Sequence, residues 1–332
     1  MFDWRERHVL VTGATGIVGG HLCRTLLRRG AYVVAFVRDD DSQSAFYRDG
    51  TARSCSIVRG ELQRFEDCIR AVNAQDIEVV FHLGAQTLVG TALRDPVETF
   101  ESNLRGSYNL LEAARRLPEL VKAFIVASSD KAYGDSSVLP YTEDMPLAGR
   151  HPYDVSKSCT DLLATCYGVS YDLPVAIARC GNIYGAGDLN WSRIVPGTIR
   201  SLLAGERPVL RSDGRNIRDY IYVSDVVDAY LALAERLNEP EIRGEAFNFS
   251  LETRISVLEI VRTITSLIGS QLEPVVLGTA THEIKEQTLD ASKARKLLRW
   301  RPQWSLEAGL AETIPWYRSL LSEGMLATDA VR

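Results

Sequence analysis

Short apolar runs and amphipathic stretches alternate along the first half of the chain. HVLVTG (8–13), YVVAFVR (32–38), VVFHLGA (79–85) and KAFIVASSD (122–130) are apolar over most of their length and read as strands. Between them lie IVGGHLCRTLLRRG (17–30), FEDCIRAVNAQ (65–75) and PVETFESNLRGSYNLLEAARRL (96–117), which carry helical patterns. Strands separated by helices of about 10–15 residues predict βαβ units and a parallel sheet. Strands this apolar fit a sheet covered on both faces. A second long helix is expected over 153–171, then a strand over 175–185, VAIARCGNIYG. The texture then changes. GAGDLNWSRIVPG (185–197) and LRSDGRNIRDYIY (210–222) read as loops, and helices are expected over 223–237, 256–269, 289–300 and 306–321. EAFNFS (245–250) reads as one more strand of the main sheet, so the chain crosses back. The expected fold class is α/β, a doubly wound parallel sheet with a smaller α+β C-terminal part. The expected domains are residues 1–180, binding a dinucleotide, and 181–332, mainly binding substrate, with a return near 244–250. The tail 325–332, MLATDAVR, is expected to fray.

Composition narrows the partners. With 332 residues, 45% hydrophobic and 24% charged, the chain resembles ordinary globular proteins and is long enough for a sizeable core. A formal charge of −5 gives no bulk basicity for nucleic acid. The apolar runs are too short to span a membrane. MFDWRERHVL at the start carries no secretory apolar region, and the six cysteines are scattered with no CxxC pair. A cytoplasmic protein with reduced thiols is expected, and neither a disulfide framework nor a metal cluster is predicted.

TGATGIVG (12–19) sets Gly13, Gly16 and Gly19 between the first strand and the first helix. Glycine there allows a tight turn, close backbone approach to a pyrophosphate, and close helix–strand packing, with the helix N-terminus facing the phosphates. Arg38-Asp39-Asp40-Asp41 follows the second strand. An acid at this place holds the adenosine ribose hydroxyls of NAD, whereas an arginine accommodates the 2′-phosphate of NADP. The acidic cluster would repel that phosphate, which favours NAD and leaves NADP open. YDVSK (153–157) places Tyr153 and Lys157 at i, i+4 on one helix face. An ammonium one turn away would favour the phenolate of the tyrosine and could hold the nicotinamide ribose. SSDKAYG (128–134) sets an acid beside an amine where a strand stops. That pair is either proton-transfer chemistry or an exposed ion pair of little energetic weight. His82, just inside a strand end, and Trp191 are expected to be structural.

Taken together, VTGATGIVGGHL, VFHLGAQ, DPVETFESNLRGSYNLLEA, SSDKAYG, YDVSK, GNIYG, IRDYIYVSDVVDAY and the C-terminal WRPQWSLEAGL resemble the extended short-chain dehydrogenase/reductase family, the NAD-dependent epimerases and dehydratases of nucleotide sugars. The resemblance covers nearly the whole chain. It implies a Rossmann fold, a nucleotide-diphosphate sugar as partner, and a homodimer formed through the helices near 97–116 and 153–171. It implies that Gly13, Thr15, Gly16, Ile17, Gly19, Arg38, Asp39, Glu61, Leu62, Leu83, Gly84, Ala85, Gln86, Asn103, Tyr153 and Lys157 serve the cofactor. It carries Thr87, Asn182, Arg193 and Arg218 over as substrate contacts, the last in RNIRDY. In this family the strand end carries a Ser or Thr for the sugar 4-hydroxyl. Sugar 4,6-dehydratases follow it with an acid–base pair, Thr-Asp-Glu in the dTDP-glucose type and Thr-Asp-Lys in the CDP-glucose type. Ser129-Asp130-Lys131 is most similar to the second, with serine for threonine. GAGDLNWSRIVP also resembles the CDP-glucose type, whereas the Arg38 strand end resembles the GDP-mannose type. The resemblance therefore implies a 4,6-dehydratase with Ser129, Asp130, Lys131, Tyr153 and Lys157 as catalytic residues. A 4-epimerase or 4-keto-sugar reductase would need only Ser129, Tyr153 and Lys157. A dinucleotide sensor without turnover would need none of them.

Overall fold

Seven parallel strands form the central sheet: β1 (His8–Thr12), β2 (Tyr32–Val37), β3 (Ser56–Arg59), β4 (Val79–His82), β5 (Ala123–Ala127), β6 (Val175–Cys180) and β7 (Ala246–Phe249). The computed structural model describes residues 2–279 and 284–322. Across the sheet the order is β7-β6-β5-β4-β1-β2-β3. The sequence runs outward from β1 to β3, then returns to β4 on the other side. β7 is the predicted return strand, with Ala246 paired to Ile177 and Phe249 to Cys180.

Successive side chains on a strand point to opposite faces, and both faces here are buried. Val9 and Val11 pack with Leu22 and Leu26 of the helix Ile17–Arg28 and with Tyr230 and Leu233 of the helix Val223–Arg236. Leu10 faces the other way, into a layer with Val80, Phe124, Leu110 and Ala164. A third cluster, including Tyr184, Ile199, Tyr220, Ile264 and Leu310, packs the C-terminal elements together.

The structure departs from the sequence-based elements in several places. β3 was not anticipated, because Ser56 to Arg59 form a half-exposed edge with little apolar signal. The run 96–117 is helical but contains a wide turn at Glu101–Arg105 between Pro96–Phe100 and Gly106–Arg116. The strand expected over 175–185 breaks at Gly181. Asn182–Tyr184 leaves the main sheet and pairs in parallel with Tyr220–Tyr222. A Cβ at Gly181 would lie 2.7 Å from the Asp219 carbonyl oxygen, so only glycine lets the two segments pass so closely. A helix, Ile194–Leu203, begins inside the stretch read as a loop. The helix expected over 289–300 is a short coil ending in the wide turn Ala294–Leu298. The tail 325–332 lies outside the described residues.

All six cysteines are free. Among the described residues no helix is long and apolar enough to cross a membrane, and no three His, Cys, Asp or Glu side chains are grouped to hold a metal ion. The strand order reverses between β1 and β4. In open α/β sheets that point, at the carboxyl ends of the strands, is where ligands bind.

Candidate active site

The glycine loop lies at that reversal. Gly13 ends β1 with φ +70°, and a Cβ there would meet the Gly84 nitrogen after β4 at 2.9 Å. A Cβ at Gly19 would lie 2.1 Å from the Gly13 carbonyl oxygen. Gly16 caps the helix Ile17–Arg28 with no side-chain hydrogen bond and no acid in its first turn. The helix therefore presents bare N–H groups and the positive end of its dipole. A side-chain-free cradle ending in such a helix fits a pyrophosphate.

Buried polar contacts hold the far wall. Thr12 Oγ1 accepts from the amides of Leu83 (3.0 Å) and Gly84 (2.9 Å). Burial pushes His82 down to about 3, so the ring is neutral. Ser107 gives its hydroxyl proton to the Asn103 carbonyl, so His82 Nε2–H donates to Ser107 Oγ at 2.9 Å. His82 Nδ1 is then left to accept from Thr12 at 3.0 Å. The expected structural role of His82 follows from this chain. Asn103 is buried behind the loop. Its Oδ1 accepts from the Gln86 amide (2.7 Å), and its Nδ2 donates to the Gln86 carbonyl (3.0 Å) and Ser156 Oγ (2.8 Å). Its side chain thus sets the path of 83–86. Ala85 and Thr87 on that path are half-buried. A Cβ at Gly84 or at Gly106 would come within 2.9 Å of Leu62, which brings the exit of β3 against this wall. The Glu61 amide donates to Asp67 at 3.0 Å. Thr15 is half-buried, and Ile17 packs toward the C-terminal cluster. At the end of β2, Arg38 and Asp39 are exposed and paired at 2.6 Å, while Arg59 pairs with Asp40 at 2.7 Å.

The strand β5 delivers the Ser-Asp-Lys triple. Ser129 is extended, and Asp130–Tyr133 forms one turn of 3₁₀ helix. The Ser129 hydroxyl donates to Asp130 Oδ1 at 3.0 Å and accepts from the Lys131 amide at 3.2 Å. Asp130 is 2% exposed, which removes the exposed ion pair as an explanation. Burial pushes its carboxyl above the usual range, with Lys131, Ser129 and Arg218 pulling back. Ser128 Oγ and Asp130 Oδ2 lie buried without hydrogen-bond partners.

The helix Pro152–Tyr171 brings Tyr153 and Lys157 to the same strand end. Lys157 Nζ donates to the Ala127 carbonyl at 2.8 Å, and burial lowers the amine to about 8. Burial raises Tyr153 to about 12, with Arg193 as the leading group pulling it down, Asp130 pushing it up, and Ser129 also pulling it down. Among the charges acting on the phenol, Arg193 from the substrate side is the leading cation. Arg193 also reaches Asp188 at 3.1 Å. Arg218 is buried, donates to the Ile217 carbonyl at 2.8 Å, and acts on Asp130. Asn182 is half-buried at the crossing, its amide bonded to the Asp219 carbonyl at 2.7 Å. Trp191 packs edge-on to Tyr317, 5.8 Å between ring centres, in keeping with a structural role.

Sequence reasoning missed three groups behind this site. Arg179 and Asp161 form a bidentate pair at 2.8 Å, with 6% and 1% side-chain exposure. Asp219 is fully buried, and burial raises it to about 7. Gln287 accepts a hydrogen bond from Lys131 Nζ. An arginine inside an apolar strand was the one signal available for the first. Asp219 stands beside Arg218 in RNIRDY, where it reads only as a partner for an arginine, and Gln287 had none.

Known proteins share this fold. The family model described as the NAD dependent epimerase/dehydratase family matches residues 9–249. The chain is 30% identical to the CDP-glucose 4,6-dehydratase of Salmonella typhimurium, over 97% of this chain and 94% of that protein. The structure of UDP-glucose 4-epimerase from Thermotoga maritima with UDP-glucose superimposes with a TM-score of 0.86 at 28% identity, covering 95% of this chain and 99% of that one. The dTDP-glucose 4,6-dehydratase of Bacillus anthracis in complex with NAD gives 0.83 at 25% identity, covering 94% and 97%.

Proposed function

The chain belongs to the NAD-dependent epimerase/dehydratase family, and on that footing we propose that it converts a nucleotide-diphosphate hexose of the CDP-glucose kind to the 4-keto-6-deoxy sugar. One observation carries this reading: a buried Asp130, its carboxyl pushed above the usual range by burial, stands beside Lys131 at the strand end that also holds Ser129, Tyr153 and Lys157.

In this reading residues 1–180 form the cofactor half and 181–332 mainly the substrate half. Gly13, Gly16 and Gly19 with the 83–86 wall would hold NAD, and Asp39 would serve its adenosine ribose. When bound there, it supplies the hydride acceptor and donor that a redox-neutral dehydration needs. Ser129 and Tyr153 hold the sugar 4-hydroxyl, and Tyr153, which burial raises to about 12, takes its proton as C4 becomes a ketone only once it has lost its own. That ketone acidifies the proton on C5. Lys131, as a free amine, takes the C5 proton while Asp130 gives its own proton to the C6 hydroxyl. The C6–O bond breaks and water leaves. The hydride lost from C4 is regained at C6, and the Lys131 ammonium returns a proton to C5. The hexose has then lost one water. Arg193 and Arg218 are suited to the diphosphate by their forked donors. An epimerase or reductase would use Ser129, Tyr153 and Lys157 and leave a buried acid at 130 without a task.

Incubation of the purified protein with CDP-glucose, dTDP-glucose, GDP-mannose and UDP-sugars, followed by mass spectrometry, tests the reading. Loss of one water from one of them is expected. An unchanged mass with a shifted retention time would mean epimerisation at C4 and would overturn it.

We also propose a homodimer. Leu93, Val97 and Tyr108 on the helical run 89–116, with Leu162 and Val169 on Pro152–Tyr171, are exposed apolar side chains on adjoining helices. Light scattering should give the mass of two chains, and Leu162→Arg should shift it toward one. A single-chain mass for the unaltered protein at micromolar concentration would sink this proposal.

A further inference from the structure

Gln287 comes to the active site from the far end of the chain. Lys131 Nζ donates to its Oε1 across 156 residues of sequence. Backbone bonds lock the segment that carries it. Ile217 N donates to Lys285 O (2.8 Å), and Gln287 N donates to Ile217 O (3.1 Å). On the other side, Tyr141 N donates to Thr288 O (2.8 Å), and Asp290 N donates to Tyr141 O (2.9 Å). Gln287 is 0% exposed, and its Nε2 has no hydrogen-bond partner. The charged groups around Lys131 come from three elements. Asp130 shares its turn and Asp154 comes from Pro152–Tyr171, both acted on by Lys131, while Arg218 and Asp219 of the segment 217–222 interact with Asp130. Beside Gln287, Glu286 is paired with Arg254 at 2.8 Å.

A carboxamide accepts through oxygen and donates through nitrogen, whereas a carboxylate only accepts. An ammonium needs an acceptor, and a free amine can itself accept. Because Nε2 makes no other bond, turning the amide over sacrifices none.

We propose that Gln287 is the positioning residue for Lys131. Its carboxamide holds the side-chain nitrogen as an ammonium through Oε1 and, turned over, as a free amine through Nε2. Lys131 therefore keeps its place while it gains and loses a proton. This deepens the dehydratase reading and rests on it for its catalytic meaning.

The test titrates Lys131 directly, by NMR of full-length protein labelled at the lysine ε carbon, with Lys131→Met identifying the signal. Gln287→Glu places an acceptor-only anion against the amine. It should raise the Lys131 midpoint by about 1–3 pH units. The ascending limb of the rate profile should move up with it, because the base is active only once deprotonated. Gln287→Met removes this acceptor from the ammonium and should lower the midpoint instead. NAD affinity reports whether each variant is folded. If Gln287→Glu is not, the Gln287→Met midpoint decides alone. An unmoved midpoint in a folded variant overturns the proposal. The titration needs no turnover, so it decides on Gln287 even if no nucleotide sugar loses water, a result that would sink the dehydratase reading separately.

Discussion

Asp130→Asn combined with Lys131→Met is expected to lower water loss from the nucleotide sugar by at least about 10²–10⁴-fold, the usual contribution of one positioned acid or base. The asparagine keeps an oxygen for the Ser129 hydroxyl, which now donates to Asp130 at 3.0 Å. It has no proton of carboxylic acidity to give to the departing C6 oxygen. Burial that now holds a carboxyl above its usual range would hold a neutral amide at less cost, so the fold should tolerate the change. Ser129, Tyr153 and Lys157 remain, so oxidation at C4 should persist. The variant should then accumulate reduced cofactor, visible as absorbance near the nicotinamide band, while water loss stops. Mass spectrometry and absorbance on the same sample read both. Full water loss in the double variant would remove Asp130 and Lys131 from the mechanism. An unimpaired exchange at C4 without water loss in either protein would identify an epimerase.

Arg179→Met is expected to destabilise the protein by about 3–5 kcal/mol, the range for breaking a buried ion pair from one side. Asp161 has 1% side-chain exposure and accepts from both Arg179 Nε and Nη2 at 2.8 Å. Without the guanidinium that carboxylate stays buried with its charge uncompensated. Tyr133 loses a partner too, since Arg179 Nη1 donates to its hydroxyl at 2.8 Å. Tyr133 ends the turn that begins at Asp130 and stacks on Tyr141 at 4.8 Å, so the loss reaches the site. Urea denaturation measures the cost. Replacing both partners with apolar residues should recover much of it, because the pair pays a large desolvation penalty to exist. A cost under about 1 kcal/mol for Arg179→Met would show that the pair is open to water, against its burial.

What the sequence could show was whatever depends on near neighbours along the chain. Apolar runs such as VVFHLGA signalled strands covered on both faces, because a strand in a parallel sheet has no polar face to show. The glycine spacing was legible because a tight turn and a close backbone approach exclude a Cβ at Gly13 and Gly19. Tyr153 and Lys157 were legible because one helical turn puts them on one face.

The tertiary structure decided what depends on the packed whole. Whether Asp130 and Lys131 formed a surface pair or a buried acid beside an amine was a question of burial, and the answer came from layers contributed by distant segments. Lys157 proved to reach the Ala127 carbonyl, and Arg193 proved to lie where its charge acts on Tyr153, because side-chain direction is set by what packs around it. The break at Gly181 and the arrival of Gln287 at Lys131 depend on segments 38 and 156 residues apart. Local periodicity carries no record of such meetings. They arise when apolar burial closes the chain and the polar groups left inside must find one another.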